Sequence, residues 1–163
     1  MSFEVREGEV VAILGPNGAG KSSLYNTITM IVKRSDGDIK LIEEEIERFD
    51  AGKNGHLFGL VCQSNVLWDN FTVDEHLNII CDIKGFPRHK RESHCENLKQ
   101  LLNLDKFSKI QSRFLSGGNK RKLCIAMAMT TDSPYLIFDE PSAGLDPVSR
   151  KRMFSYFKSH ENK

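Results

Sequence analysis

Apolar and polar positions alternate from the first residues, with Phe3 and Val5 leading to a turn at Glu7-Gly8-Glu9 and then to Val10-Val11-Ala12-Ile13-Leu14. Residues 1–14 therefore read as two strands joined by a turn. A glycine-rich loop covers 15–20, and the spacing beyond it predicts a helix from about Lys21 to Val32. Ser35-Asp36-Gly37-Asp38 is a turn signal, followed by a short strand at Ile39-Lys40-Leu41-Ile42. Residues 50–56 read as loop, and Leu57-Phe58-Gly59-Leu60-Val61 as a buried strand. Helical spacing then takes over. Thr72-Val73-Asp74-Glu75 has the form of a capping box, with Leu77, Ile79, Ile80 and Ile83 behind it suited to a packed helix. Gly85-Phe86-Pro87 ends that helix, a second covers roughly 89–103, and a third begins just after Ser116. Tyr135-Leu136-Ile137-Phe138 is a strand that runs into two acids. Strand, loop, helix, helical insert, helix, strand is an α/β plan with helices inserted mid-chain.

Composition narrows the function classes. A chain of 163 residues, 39% hydrophobic and 28% charged, suits one globular domain. A net charge of +1 gives no reason to expect a nucleic-acid partner or a membrane-surface partner. The runs Glu43-Glu44-Glu45 and Arg88-His89-Lys90-Arg91 read as solvated faces. Cys62, Cys81, Cys95 and Cys124 lack paired spacing, which argues against a zinc site or disulfide scaffold and for a reducing, cytosolic compartment. The first residues do not have the pattern of a signal peptide, and the apolar runs are far shorter than the ~20 residues of a spanning helix. Any membrane part is expected elsewhere.

Gly15-Pro16-Asn17-Gly18-Ala19-Gly20-Lys21-Ser22 fits the Walker A pattern, placed after an apolar run and at the opening of a helix. Such glycines let the backbone curl so that successive N–H groups face phosphate oxygens, and the helix N-terminus adds its positive dipole end. Gly15, Pro16, Asn17, Gly18, Ala19, Gly20, Lys21, Ser22 and the adjoining Ser23 are the expected ATP-binding residues. Lys21 is expected to reach the β- and γ-phosphates and Ser22 to ligate Mg²⁺. Phe138-Asp139-Glu140 closes the later apolar strand. In a P-loop fold that strand ends beside the phosphates, where Asp139 holds Mg²⁺ through water and Glu140 polarises the attacking water as general base.

Leu115-Ser116-Gly117-Gly118-Asn119 opens a helix with Ser116 as a natural cap, and with Lys120-Arg121-Lys122 following. This segment resembles the signature motif of ABC ATPases. Other segments follow in the family's order. Gln63 resembles the Q-loop glutamine that senses Mg²⁺ and water, and Ser142-Ala143-Gly144-Leu145-Asp146-Pro147 resembles the D-loop that crosses the dimer interface. The run from Gly117 to Leu123, together with Val73-Asp74-Glu75-His76-Leu77, most resembles subfamily A, the lipid-exporter-like branch.

The resemblance implies a P-loop NTPase (RecA-like) core with an ABC-type antiparallel β portion and an inserted α-helical subdomain. The core would take 1–70 and 132–163, and the subdomain about 71–131. It implies that Ser116, Gly117 and Gly118 cover the γ-phosphate held by a second ABC ATPase domain. Further expected partners are transporter membrane domains, with the chain at the cytoplasmic face of the membrane. Lys120, Arg121 and Lys122 read either as offsetting the polyphosphate of a partner-bound nucleotide or as solvated side chains pointing away. Trp68 reads either as part of a receiving surface for a membrane-domain helix or as a half-buried surface residue.

Two features of the family pattern are missing. The aromatic that stacks on adenine normally lies further upstream, and Phe3 is too close to Gly15 to replace it. The switch histidine normally ends a later apolar strand, whereas His160 follows a helix-like polar stretch and comes too early. His56, His76, His89 and His94 lack metal-ligand spacing and read as structural or exposed. By this reading the chain is truncated at both ends relative to a complete domain. The alternative function is therefore a nucleotide-binding fragment or regulatory half-site without turnover. Chromosome-type relatives place a long coiled coil between the Walker motifs, and ribosome-type relatives carry two such domains. Neither pattern fits this chain.

Overall fold

The computed structural model describes residues 2–41, 44–45, 55–130 and 133–160. Ile42, Glu43, the loop residues 50–54, the boundary at 131–132 and the side chain of His160 were all part of the reading above and lie outside the described residues. The first regular element is helix α1 (Lys21–Ile28), entered through Gly20. It ends earlier than the expected Val32. The Thr29 hydroxyl donates to the Tyr25 carbonyl at 2.8 Å, and Met30 turns into the left-handed region (φ 57°). Thr27, Ile28 and Thr29 are β-branched, and such residues hold a final helical turn poorly.

An antiparallel ribbon follows, β1 (Lys40–Leu41) against β2 (Glu44–Glu45), with Lys40 opposite Glu45. A single 3₁₀ turn leads into β3 (Phe58–Val61). Three helices come next: α2 (Val73–Ile83), α3 (Arg88–Leu101) and α4 (Gly117–Ala128). Strand β4 (Tyr135–Phe138) and helix α5 (Pro147–His160) complete the order.

The capping box forms as the sequence predicts. The Glu75 N–H donates to the Thr72 hydroxyl at 3.2 Å, and the Thr72 N–H donates back to the Glu75 carboxylate at 2.7 Å. β3 and β4 pair in parallel, Phe58 with Tyr135 through Val61 with Phe138. Helix α4 lies on β3, and α2 packs against both α3 and α4. Val61, Val73, Leu77, Leu102, Leu123 and Ile125 form the centre of one apolar core. Met153 of α5 joins that core, and Phe157 meets the Phe138 ring at 5.2 Å, which returns α5 to the sheet.

The expected strands over 1–14 do not form: residues 2–14 carry no strand. Val10, Val11 and Ile13 are exposed, and Leu14 is 89% exposed. Apolar alternation declares which side chains a strand would bury. It does not supply the neighbouring strand that defines a ladder, and among the described residues none pairs with this segment.

Candidate functional site

The glycine-rich loop closes on itself. The Ala19 N–H donates to the Pro16 carbonyl at 3.2 Å. Gly18 and Gly20 sit at φ 83° and 91°, a region that L side chains resist, which is why glycine occupies them. No side chain caps α1, so its first-turn N–H groups stay available to an anion. The Lys21 ammonium donates to the carbonyls of Gly15 (2.8 Å) and Pro16 (3.0 Å). An ammonium has three protons, so one donor remains.

Ser22, in the first turn of α1, donates its hydroxyl to Asp139 Oδ2 at 2.9 Å, across 117 positions of sequence. The parallel ladder delivers Asp139 to that point. Val61 pairs with Phe138, and the Asp139 N–H continues the ladder by donating to the Val61 carbonyl at 2.8 Å. Glu140 follows in the left-handed region (φ 49°), a conformation that costs a non-glycine residue about 1–2 kcal/mol, with its side chain exposed. Gln63 lies two residues beyond β3, so the same two strand ends place it beside the acids, and its side chain too is exposed. Ser23 lies on α1 next to Ser22, and its side chain is exposed.

The Ser22 and Asp139 oxygens fit Mg²⁺ as a donor set. Both are hard oxygens. They lie 2.9 Å apart beside the phosphate loop, close enough to serve one ion.

The glycine pair lies at the start of α4. Ser116 caps the helix, accepting from the Asn119 N–H at 3.3 Å, and its hydroxyl proton stays free to donate outward. Ser116 and Gly117 are exposed. Gly118 is partly covered by its own chain: a Cβ there would stand 2.7 Å from the Gly144 carbonyl oxygen. Glycine at 118 is thus required by a close approach of the 142–147 loop, whatever faces the outer side.

Neither reading of Arg121 and Lys122 as outward-facing charges survives, because both are buried. The Lys122 ammonium pairs with Asp146 at 2.7 Å. Asp146 also caps α5, accepting from the Ser149 N–H (2.9 Å) and hydroxyl (2.7 Å). Lys122, then Ser149, hold the Asp146 carboxyl well below the usual carboxylate range. Arg121 donates to four carbonyls, those of Cys62, Gln63, Asp139 and Glu140. The one sequence sign of it is the apolar run Leu123–Ala128 directly behind the two cations. Residues 121–126 are all buried, so α4 is covered on every side, and a cation on such a helix must find an internal partner. A second unforeseen contact joins the Tyr25 hydroxyl to the Cys62 thiol at 3.3 Å. Burial, then that bond, pushes the phenol well above its ordinary pKa.

His76 is fully buried. Its Nε2 accepts from the Trp68 N–H at 3.0 Å, so Nδ1 carries the proton and donates to the Thr72 carbonyl at 2.7 Å. Trp68 is 45% exposed, with its ring 5.4 Å from that imidazole.

A family model described as the ABC transporter matches residues 1–143, the span holding the loop, the acid pair and the α4 start. The chain belongs to the ABC transporter family. Its similarity to ABC transporters of subfamily A extends over nearly its full length. It is 35% identical to ATP-binding cassette sub-family A member 9 of Mus musculus over 97% of the chain. It is 35% identical to the cholesterol transporter ABCA5 and 33% identical to the phospholipid-transporting ATPase ABCA3, both of Mus musculus, over 97% and 99% of the chain. The chain spans about a tenth of the length of these relatives, 10%, 10% and 9% respectively.

Among solved structures, the ATP-binding subunit of an ABC transporter superposes with a TM-score of 0.87 at 26% identity, covering 98% of this chain and 66% of that one. A dimeric ATP-binding cassette in a post-hydrolysis state, bound to ADP and Pi, gives 0.86 at 23%, covering 98% and 72%. The fold is therefore the α/β P-loop NTPase fold of ABC cassettes, and the chain is an ABC ATPase domain, of a family that binds and hydrolyses ATP. Among the described residues no helix is long and apolar enough to cross a membrane.

Proposed function

We propose that the chain binds Mg-ATP on residues 15–23 and hydrolyses it as one half of a face-to-face pair of ABC ATPase domains. The pair drives export, of lipids, through membrane-spanning domains on whose cytoplasmic face it sits. The observation that carries this reading is the 2.9 Å contact between Ser22 and Asp139, which unites the phosphate loop and the acid pair in one place. Residues 1–70 and 132–163 serve as the catalytic core, and about 71–131 as the helical subdomain.

In this reading the open N–H groups of α1 and the spare Lys21 donor take the β- and γ-phosphates. Ser22 and Asp139, with Gln63, hold Mg²⁺, which supplies charge neutralisation across the phosphate oxygens. Glu140 accepts a proton from the attacking water. Its exposed carboxylate at the strand end suits that role. Ser116, Gly117 and Gly118 present the α4 N-terminus to the nucleotide held by the partner domain. The dimeric state of the solved cassette supports the pairing, and the lipid-related names of the subfamily A relatives support the cargo.

The test is a calorimetric titration of the chain and of Lys21→Ala with Mg-ATP. A charge-assisted contact of this kind contributes about 1.5–3 kcal/mol, so affinity should fall roughly 10- to 100-fold. The melting temperature should hold, since Lys21 is not part of the buried core. Equal affinity in the two proteins would overturn the assignment.

A further inference from the structure

Arg121 stands just over one turn into α4 and is 3% exposed. One terminal nitrogen donates to the carbonyls of Cys62 and Gln63, and the other to those of Asp139 and Glu140. Its Nε is buried and makes no hydrogen bond among the described residues. A buried guanidinium is costly unless its donors are met, and here four main-chain oxygens meet those of its two terminal nitrogens. Those oxygens belong to the two strand ends that carry the exposed Gln63 side chain, the Asp139 carboxylate and the Glu140 carboxylate. Only a planar fork with donors on both arms spans the two segments together. A lysine, with three donors on one point, does not.

We propose that Arg121 is a positioning residue. It fixes the spacing of residues 62–63 and 139–140, and so makes the Ser22–Asp139 metal site depend on the seating of α4. This inference rests on the nucleotide-site reading above. The adjacent Lys122 grips Asp146, so two consecutive side chains tie the helix that begins at the glycine pair to residues 62–63, 139–140 and 146. A shift of α4 is then felt at Gln63 and Glu140 together.

The experiment compares the unaltered chain with Arg121→Lys and Arg121→Gln by calorimetry, titrating ATP once with excess EDTA and once with Mg²⁺. Phosphate-loop contacts do not pass through Arg121, so affinity in EDTA should stay within about threefold. The gain in affinity on adding Mg²⁺ should fall about 10- to 100-fold, the usual effect of losing a group that orients a metal ligand. A general loss of packing would instead lower both affinities in parallel, and that result overturns the proposal, as does an unchanged Mg²⁺ gain. If the unaltered chain binds no ATP under either condition, the nucleotide reading itself has failed.

Should neither variant fold, hydrogen exchange on the unaltered chain decides. The Asp139 and Ala143 amides, bonded to Val61 and Glu140, should gain protection on Mg-ATP binding together with the amides of α4. Protection of Asp139 and Ala143 with no change in α4 overturns the proposal.

Discussion

Replacing Gly59 by alanine tests how tightly the layers behind the site are stacked. Gly59 lies in β3, paired with Leu136 of β4 and covered by the end of α4. A Cβ at this position would sit 2.3 Å from the Ala128 carbonyl oxygen and 2.5 Å from Leu136 Cδ2. Leu136 is partly exposed and its methyl group can swing away. The Ala128 oxygen is backbone, so either α4 or β3 must shift by about 1 Å to restore ordinary contact. Overpacking of this kind costs about 1–3 kcal/mol, more than the 0.5–1 kcal/mol that alanine regains over glycine in a strand. At about 2–4 °C per kcal/mol for a domain of this size, the melting temperature should fall by several degrees. Thermal unfolding followed by circular dichroism measures it. A melting temperature equal to the parent's, or above it, would refute the close packing of α4 on β3 on which the placement of Arg121 depends.

Other outcomes follow from the same geometry. Glu140→Gln should keep Mg-ATP binding and lower phosphate release about 10²- to 10⁴-fold, and unchanged turnover would exclude Glu140 as the base. In that background Gly117→Asp should block nucleotide-dependent pairing on size exclusion, because a buried like-charge contact costs several kcal/mol. Gly117 is the informative position, since nothing lies within 4 Å of its Cβ direction, whereas a side chain at Gly118 also strikes Gly144. Pairing as ready as the parent's would remove the composite-site mechanism. Burial holds His76 below its ordinary pKa of 6.5, so between that value and the folded one the unfolded chain binds more protons. Stability from His76 is therefore complete above pH 6.5 and lost as pH falls below it, separately from the lower window of Asp146. A His76→Leu variant should show a flatter melting profile just below pH 6.5, and an unchanged slope would show that His76 does not titrate with unfolding.

The elements most legible in the sequence are those fixed by local chemistry. The Thr72–Glu75 box, the Ser116 cap and the apolar run ahead of Asp139 each state their own structure within a few residues, and each forms. Segments that need a distant partner were less legible. Residues 2–14 have strand-like alternation but no ladder among the described residues, and α1 stops where the Thr29 hydroxyl and the Met30 backbone end it. The residue types around the site could be read from spacing. The internal use of Arg121 and Lys122 could not, because the partners of Arg121 are carbonyl oxygens, which leave no mark on the sequence. Only the apolar run Leu123–Ala128 directly behind them hints that these cations face inward.

The central claim is that two segments 117 positions apart make one metal and nucleotide site. A double-mutant cycle of Ser22→Ala and Asp139→Asn, read as the gain in ATP affinity on adding Mg²⁺, tests it most directly. If both oxygens serve one ion, each single variant should lose most of that gain and the double variant should lose little more, a coupling well outside the ~0.5 kcal/mol of independent sites. Losses that simply add, or a Mg²⁺ gain untouched by either change, would contradict the account.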